Sequence, residues 1–327
     1  MTILGALMQG SFVFPMKFAS GWRWENIWFV YSVVGLLVLP ISVAAVTVPG
    51  LASVYKLSSV EAIVTAALFG FGWGLANVLF GLAVAAAGMS ISFSIVCGMS
   101  ASLGALLPLA ILTPGRLMEP SGITILAGVV LALDGVYIIG MAGWKREIRN
   151  GAPASRRSMR KGILLALAAG TLAPALNFSF AFGREIMERA VRHGASSMSS
   201  ADAVWVVCLA GGFVGNGGYA ASKLTRDRSW TRFCKTSGWR NWLLTSLMGV
   251  LFTGGILLYS RGATMLGAFG PIIGWPVFQA TMVLTSTFFG VLAGEWKDTE
   301  RHIIGTLAAG ILVLMTAILV LSLANRL

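Results

Sequence analysis

The sequence predicts an all-α polytopic membrane protein, with ten transmembrane helices in two inverted five-helix repeats. Three observations carry that prediction. Of 327 residues, 57% are hydrophobic and only 11% charged, and the mean hydropathy is +0.82. A soluble chain has about a quarter of its residues charged, so this one cannot cover itself with polar surface and needs lipid as solvent. The charges lie between long apolar runs rather than within them. A basic segment at 143–161 divides the chain near its middle, with five runs on each side.

A crossing needs about 20 apolar residues for a core about 30 Å thick. The runs that meet this lie near 3–19, 27–47, 61–86, 89–112, 122–142, 162–182, 203–222, 241–260, 270–292 and 303–324. The first is short, and Lys17 at its end must reach the interface. It lacks a basic segment ahead of it, so it reads as a span and not as a signal peptide. The second follows Trp22, Trp24 and Trp28, an aromatic belt at an interface. The third and fourth meet at Ala87-Gly88-Met89-Ser90, a very tight connection. The fifth holds Asp134 and runs into the basic segment. The sixth holds Pro174, Asn177 and Ser179, and the charged stretch after it offers i,i+4 pairs at Arg184/Glu188, Glu185/Arg189 and Glu188/Arg192. The seventh carries GGFVGNGG, a small-residue surface for close packing. The eighth spaces Gly255 and Gly262 as the third spaces Gly81 and Gly88. The ninth is interrupted by Pro271 and Pro276, and broken helices expose backbone groups that bind cargo or allow bending. The tenth is apolar almost throughout.

The loops after the odd-numbered runs hold seventeen of the 24 lysines and arginines. The positive-inside rule places those loops in the cytoplasm and both termini outside. The two halves, 1–142 and 162–327, then start on opposite sides of the membrane and are inverted, with 143–161 as a cytoplasmic linker. In such plans the substrate site lies near the midplane where the halves meet.

Polar residues inside the apolar runs are the candidate site. Trp73 and Asn77 are four apart and share a helix face. Ser90, Ser94, Gly98 and Ser102 recur at helical spacing on the next run. An indole beside an amide, facing hydroxyls, suits a small neutral polyol. Asn177, Asn216, Trp275 and Gln279 add further amides and a second indole from other runs. The expected substrate-binding set is Trp73, Asn77, Ser94, Asn177, Asn216, Trp275 and Gln279. The bland reading of each amide is an interhelical hydrogen bond. Asp134 costs about 2.5–3.5 kcal/mol in mid-helix on insertion scales, so it is expected to face a polar cavity and carry a coupling proton. Its alternative is a protonated acid bonded to a neighbouring helix.

Absences narrow the class. No lysine or arginine lies at mid-membrane, which disfavours an anionic substrate. There is no phosphate loop, no HExxH and no soluble domain for ATP, so the chain reads as a non-enzyme that works on an ion gradient without a cofactor. Cys97, Cys208 and Cys234 show no CxxC spacing, and His193 and His302 stand alone, so no metal site is expected. The basic balance is explained by topology and not by nucleic acid. The short loops suggest no obligatory protein partner.

Four motifs carry a resemblance: FVFPMKFASGWRWENIW (Phe12 to Trp28), LFGFGWGLANVLFGLAVAAAGMS (Leu68 to Ser90), GGFVGN ending at Asn216, and IGWPV with GVLAGEWK (Ile273 to Lys297). With them the chain resembles the L-rhamnose–proton symporter family, within the drug/metabolite transporter superfamily. The resemblance covers essentially the whole chain. It implies ten helices in two inverted repeats, a bacterial inner membrane, and import of L-rhamnose or a related neutral sugar with a proton, or with sodium as the other candidate ion. It places Pro15, Lys17, Trp24, Glu25, Trp73, Asn77, Asn216, Trp275 and Glu295 on family pattern positions. Asp134 and the Asn177–Ser179 stretch depart from that pattern. The competing reading is an exporter of a lipophilic cation or other small metabolite, with Asp134 as counter-ion.

Overall fold

The computed structural model describes residues 1–149, 156–235 and 238–324, and every regular element among them is helical. Residues 150–155 of the basic linker, Gly151 and Pro153 included, lie outside the described residues. Nine described helical segments are long and apolar enough to cross a membrane. The expected first span is the exception. It is a ten-residue helix α1 (Thr2–Ser11) followed by a 3-10 turn, Phe14–Phe18, that opens on Pro15. At 1.5 Å per residue α1 is about 15 Å long, half of what a crossing needs. It nevertheless packs its Gly5, Ala6, Gln9 and Gly10 face against two long helices, α13 (Trp239–Met265) and α14 (Gly270–Leu292). A methyl on Gly5 would stand 2.5 Å from the carbonyl oxygen of Gly255, and one on Gly10 2.5 Å from Thr285.

The second segment is α2 (Trp24–Val33), a π turn at Val34–Val38, and α3 (Leu39–Thr47). Pro40 has no N–H to give to the turn before it, and the wide turn absorbs that defect. Thr253 of α13 donates to the Gly35 carbonyl at 2.6 Å. A short α4 (Leu51–Leu57) leads to α5 (Val60–Ala87). The tight connection to α6 (Met89–Leu112) is a single residue, Gly88, at φ +88°, a region that favours glycine. Glu147 closes it, accepting from the Ser90 N–H at 3.0 Å and the Ser90 hydroxyl at 2.8 Å. A carboxylate there suits the positive end of α6.

Glu147 belongs to α7 (Pro120–Arg149). After the linker come α8 (Arg156–Leu172), α9 (Ala175–Phe182) and α10 (Arg184–Arg192), broken at Pro174 and Gly183. Of the three ion pairs expected along α10, only Arg184–Glu188 forms among the described residues, at 2.7 Å. Glu185 turns instead to α5, accepting from the N–H and hydroxyl of Ser59. Then follow α11 (Ala201–Arg226), a short α12 (Arg232–Lys235), α13, α14 and α15 (Arg301–Ala324).

Close approaches through glycine fix the packing. A methyl on Gly70 of α5 would fall 1.7 Å from the Cys208 oxygen, and one on Gly211 of α11 would fall 2.1 Å from that of Ala67. Gly128 and Gly135 of α7 likewise receive Leu321 and Leu314 of α15. Around these contacts α6 packs on α7, α8 and α14; α5 packs on α8 and α11; α1 packs on α13 and α14; and α2–α3 packs on α11 and α13.

Candidate functional site

An aromatic core fills the centre of the bundle. Phe252 and Tyr259 are seven residues apart on one face of α13. Trp73 of α5 lies against Phe252, with ring centroids 5.3 Å apart. Tyr259 packs edge-on to Trp275 of α14 at 5.3 Å and near Phe278 at 5.0 Å. Phe180 of α9 joins Tyr259 at 5.8 Å and stacks on Trp205 of α11 at 6.1 Å. Elements from both halves of the chain meet in this cluster.

Asn177 ties its upper end together. The side chain is fully buried. Its amide donates to the carbonyls of Gly104 on α6 at 2.9 Å and Pro271 on α14 at 3.1 Å. Its oxygen accepts from the Tyr259 hydroxyl. Trp275 adds a second link, donating to the Ser100 carbonyl of α6 at 3.0 Å. These bonds satisfy the amide and indole groups, and they hold α6, α9, α13 and α14 together at one end of the bundle.

The other expected site residues divide. Gln279, one turn beyond Trp275, is buried, and Asn77, one turn beyond Trp73, is half-buried. Neither makes a side-chain hydrogen bond to a described residue, so both amides keep their full bonding capacity. Asn216 is spent. It accepts from the Trp28 indole at 2.8 Å and donates to the Ser32 hydroxyl at 3.1 Å, joining α11 to α2. Trp73 belongs to the aromatic core. Ser94 lies apart, against Gly140 of α7.

Asp134 does not line the cavities described among these residues. It is exposed on α7, on the stripe that also exposes Ile123, Val130, Leu133 and Tyr137. The opposite face, with Gly128 and Gly135, is the one packed on α15. Helical phase alone puts the acid outward.

Ser94 belongs to a second feature, a cavity of about 260 Å³ at the far end of α14. Its wall includes Ser90, Ser94, Ser286, Thr287 and Trp296. At its mouth Glu295 takes an ion pair from Lys17 and a second from Arg146 at 3.3 Å. The Arg146 guanidinium also lies 4.5 Å from the Trp296 ring centre, a cation–π distance. Lys17 follows α1, Arg146 lies in the last turn of α7 and Glu295 follows α14, so three elements meet at this mouth. Sequence reasoning assigned Lys17 and Glu295 to pattern positions without a partner, and passed over Tyr259, Arg146 and the buried Gln9 of α1. Gln9 was legible as a lone amide in an apolar run. The others depend on contacts between distant stretches. No group of three or more metal-ligating side chains occurs among the described residues.

Comparison with known proteins gives the chain a family. A family model described as L-rhamnose-proton symport protein matches residues 1–325. An L-rhamnose-proton symporter of Cronobacter sakazakii is 29% identical over 323 residues, covering 96% of this chain and 93% of that protein. Symporters of the same name from Mannheimia succiniciproducens and Shigella flexneri are 28% and 27% identical over 96% of this chain and 93% and 94% of their own lengths. The match runs through both halves and takes in α1, the aromatic core and the charged mouth alike. The chain belongs to the L-rhamnose-proton symport protein family.

Proposed function

We propose that this transporter, which is not an enzyme, imports L-rhamnose together with a proton across a bacterial inner membrane. The observation that carries the reading is the family match over residues 1–325. The relatives' names support sugar and proton, and nothing in them supports export of a cation.

The chain is read as ten crossing segments, α1 with its 3-10 turn being the first, in two inverted halves, 1–142 and 162–327, joined by the cytoplasmic linker 143–161. The packing pattern supports this. When each segment is matched to the one five places later, the contacts of one half recur in the other. The packing of α5 on α8 matches that of α13 on α1, and α6 on α8 matches α14 on α1. The contact of α6 with α7 matches that of α14 with α15, and α11 on α5 matches α2–α3 on α13. The pairs α7–α15, α6–α14 and α2–α11 each join a segment to its own counterpart. A two-fold relation of that kind gives alternating access by rocking one arrangement into its mirror state. Loop charge places both termini outside, so Asn177 and Tyr259 lie toward the outside and the Lys17–Glu295 pair toward the cytoplasm.

In this arrangement the outer side is closed by Asn177, Tyr259 and Trp275. The sugar is held between the halves, where the free amides of Gln279 and Asn77 bond its hydroxyls and Trp73 lies under its apolar face. It leaves through the cavity at Ser90 and Ser94 when the ions at the mouth part. Asn216 keeps α2 on α11 and does not touch sugar.

The test is uptake of radiolabelled L-rhamnose into proteoliposomes under an inward proton gradient without sodium. Accumulation that collapses when a protonophore is added is expected. Accumulation only when sodium is supplied would move the coupling to sodium, and no accumulation with either ion would overturn the substrate.

A further inference from the structure

The acids of the apolar segments have unlike surroundings. Asp134 faces outward. Glu25, at the start of α2, is buried and accepts from the Ser229 hydroxyl at 2.8 Å. Asp202, in the first turn of α11, is 1% exposed, and its two oxygens differ. Oδ2 accepts from the Arg261 guanidinium at 2.9 Å and from the Thr47 hydroxyl at 2.8 Å. Oδ1 is buried with no hydrogen-bond partner among the described residues. A buried acceptor left empty costs about 1–3 kcal/mol, so an oxygen kept that way calls for an explanation.

Thr47 ends α3, in the first half of the chain. Arg261 is four residues from the end of α13, in the second. One carboxylate therefore pins α3 and α13 to α11. Tyr259, two residues before Arg261, is held by Asn177 on another face of the same helix. The guanidinium side chain is 20% exposed, so water reaches its edge.

Other charged groups near this end are engaged elsewhere or exposed. On α10, Glu185 holds Ser59, Arg189 acts on Glu185, and Arg192 is exposed. His193 is bonded to the Arg189 carbonyl, and Glu61 of α5 is exposed. From α4, the Tyr55 hydroxyl donates to the Ala203 carbonyl. Arg261 is the one charged partner of Asp202 among the described residues.

We propose that Asp202 is the site that takes the coupling proton, an inference that rests on the proton-symport reading above. A proton from the outer water binds Oδ1, the oxygen whose lone pairs are free. The group becomes a neutral acid. Arg261 loses its counter-charge and turns to water, Thr47 keeps only a weak acceptor, and α3 and α13 are no longer pinned to α11. Departure of the proton restores the carboxylate and the three-way link. Arg261 spends one N–H on the Leu257 carbonyl and one on Oδ2, and Oδ1 keeps its lone pairs for a proton.

The experiment uses the full-length protein in proteoliposomes and compares wild type with Asp202→Asn and Arg261→Lys. Gradient-driven accumulation of L-rhamnose in Asp202→Asn should fall at least about tenfold more than gradient-free sugar exchange, and the pH dependence of exchange should flatten. Arg261→Lys keeps a cation beside the acid and should fold, but its pH profile should move. Asp202→Asn that accumulates sugar with the wild-type pH profile overturns the inference. If that variant does not fold, an unmoved profile in Arg261→Lys overturns it instead. A sugar-free measurement separates this inference from the substrate reading. The infrared difference spectrum across the active pH range should contain a carboxylic-acid C=O band that disappears in Asp202→Asn. If wild type moves no L-rhamnose, the substrate reading fails while that band still decides the proton site. A band that persists in Asp202→Asn counts against the site.

Discussion

The Tyr259 hydroxyl donates to the side-chain oxygen of Asn177, and the amide of the same asparagine reaches the backbones of two further helices. The Lys17–Glu295 pair lies at the opposite end of α14. At about 1.5 Å per residue the 23 residues of α14 put about 35 Å between the two. At the first end the bundle is fastened by neutral hydrogen bonds and by the buried Asp202–Arg261 pair, and at the other by exposed ions in front of the Ser90–Ser94 cavity.

Tyr259→Phe removes one hydroxyl and leaves the Asn177 oxygen buried without a donor. The expected cost is about 1–3 kcal/mol. The melting temperature of the purified protein should fall, and uptake should slow because the closed outer state is weakened. An unchanged melting temperature would show that the bond is not holding that end.

At the other end the ions are exposed, with Glu295 39% accessible, so their worth as stability is small, about 0–1 kcal/mol. Their position matters more. Cysteines at 17 and 295, in a chain whose exposed Cys234 is replaced by serine, should accept a short bifunctional thiol reagent. Cross-linking should stop uptake, and cleaving the linker should restore it. Full uptake by the cross-linked fraction would place the exit elsewhere.

Glycines on α5 offer a contrast within one helix. Gly70 has no room for a methyl group beside Cys208, whereas Gly81 has nothing within 4 Å of that position. Gly70→Ala should lower folded yield sharply, because α11 must move away along its length. Gly81→Ala should leave stability unchanged or raise it by about 0.5–1 kcal/mol of helix preference. Equal behaviour of the two variants in a thermal-shift measurement would contradict the packing.

Much of this fold was legible because its signals are local. Run length marked nine helical segments long and apolar enough to cross, while the first expected span folds as a shorter helix and a 3-10 turn, and Gly88 marked the tight turn. The glycines of GGFVGNGG marked the face that α11 presents to α5. The site was legible only in kind. Amides in apolar runs could be seen, but whether an amide is spent depends on partners far away in the chain. Asn216 is consumed by Trp28 and Ser32, nearly two hundred residues earlier, whereas Gln279 has no partner among the described residues. Asp134 is instructive because its answer was within reach. Ile123, Val130, Leu133 and Tyr137 share its helical phase, and a stripe of large apolar residues opposite Gly128 and Gly135 is the lipid-facing one.

That phase yields a prediction. Asp134→Leu replaces a side chain that costs about 2.5–3.5 kcal/mol at mid-helix by one that suits lipid. Proton-driven uptake should persist, and the melting temperature should hold or rise. Loss of coupling with normal folding would return Asp134 to the transport mechanism and would argue against the outward placement.

The two amides Gln279 and Asn216 separate binding from structure. Asn216→Ala leaves the Trp28 indole N–H without its partner, at a cost of about 1–3 kcal/mol, while the Ser32 hydroxyl keeps its bond to the Trp28 carbonyl at 2.7 Å. Its melting temperature should drop, with sugar affinity unchanged in whatever protein remains folded. Gln279→Ala orphans nothing, because its amide has no described partner, so melting should stay near wild type. If that amide bonds a sugar hydroxyl, the half-saturating sugar concentration should rise by about tenfold, the worth of one to two neutral hydrogen bonds. The measurement is sugar-concentration dependence of uptake beside a thermal melt for both variants. A stable Gln279→Ala protein with wild-type affinity would remove this residue from the site, and the free amide of Asn77 would be the next to test.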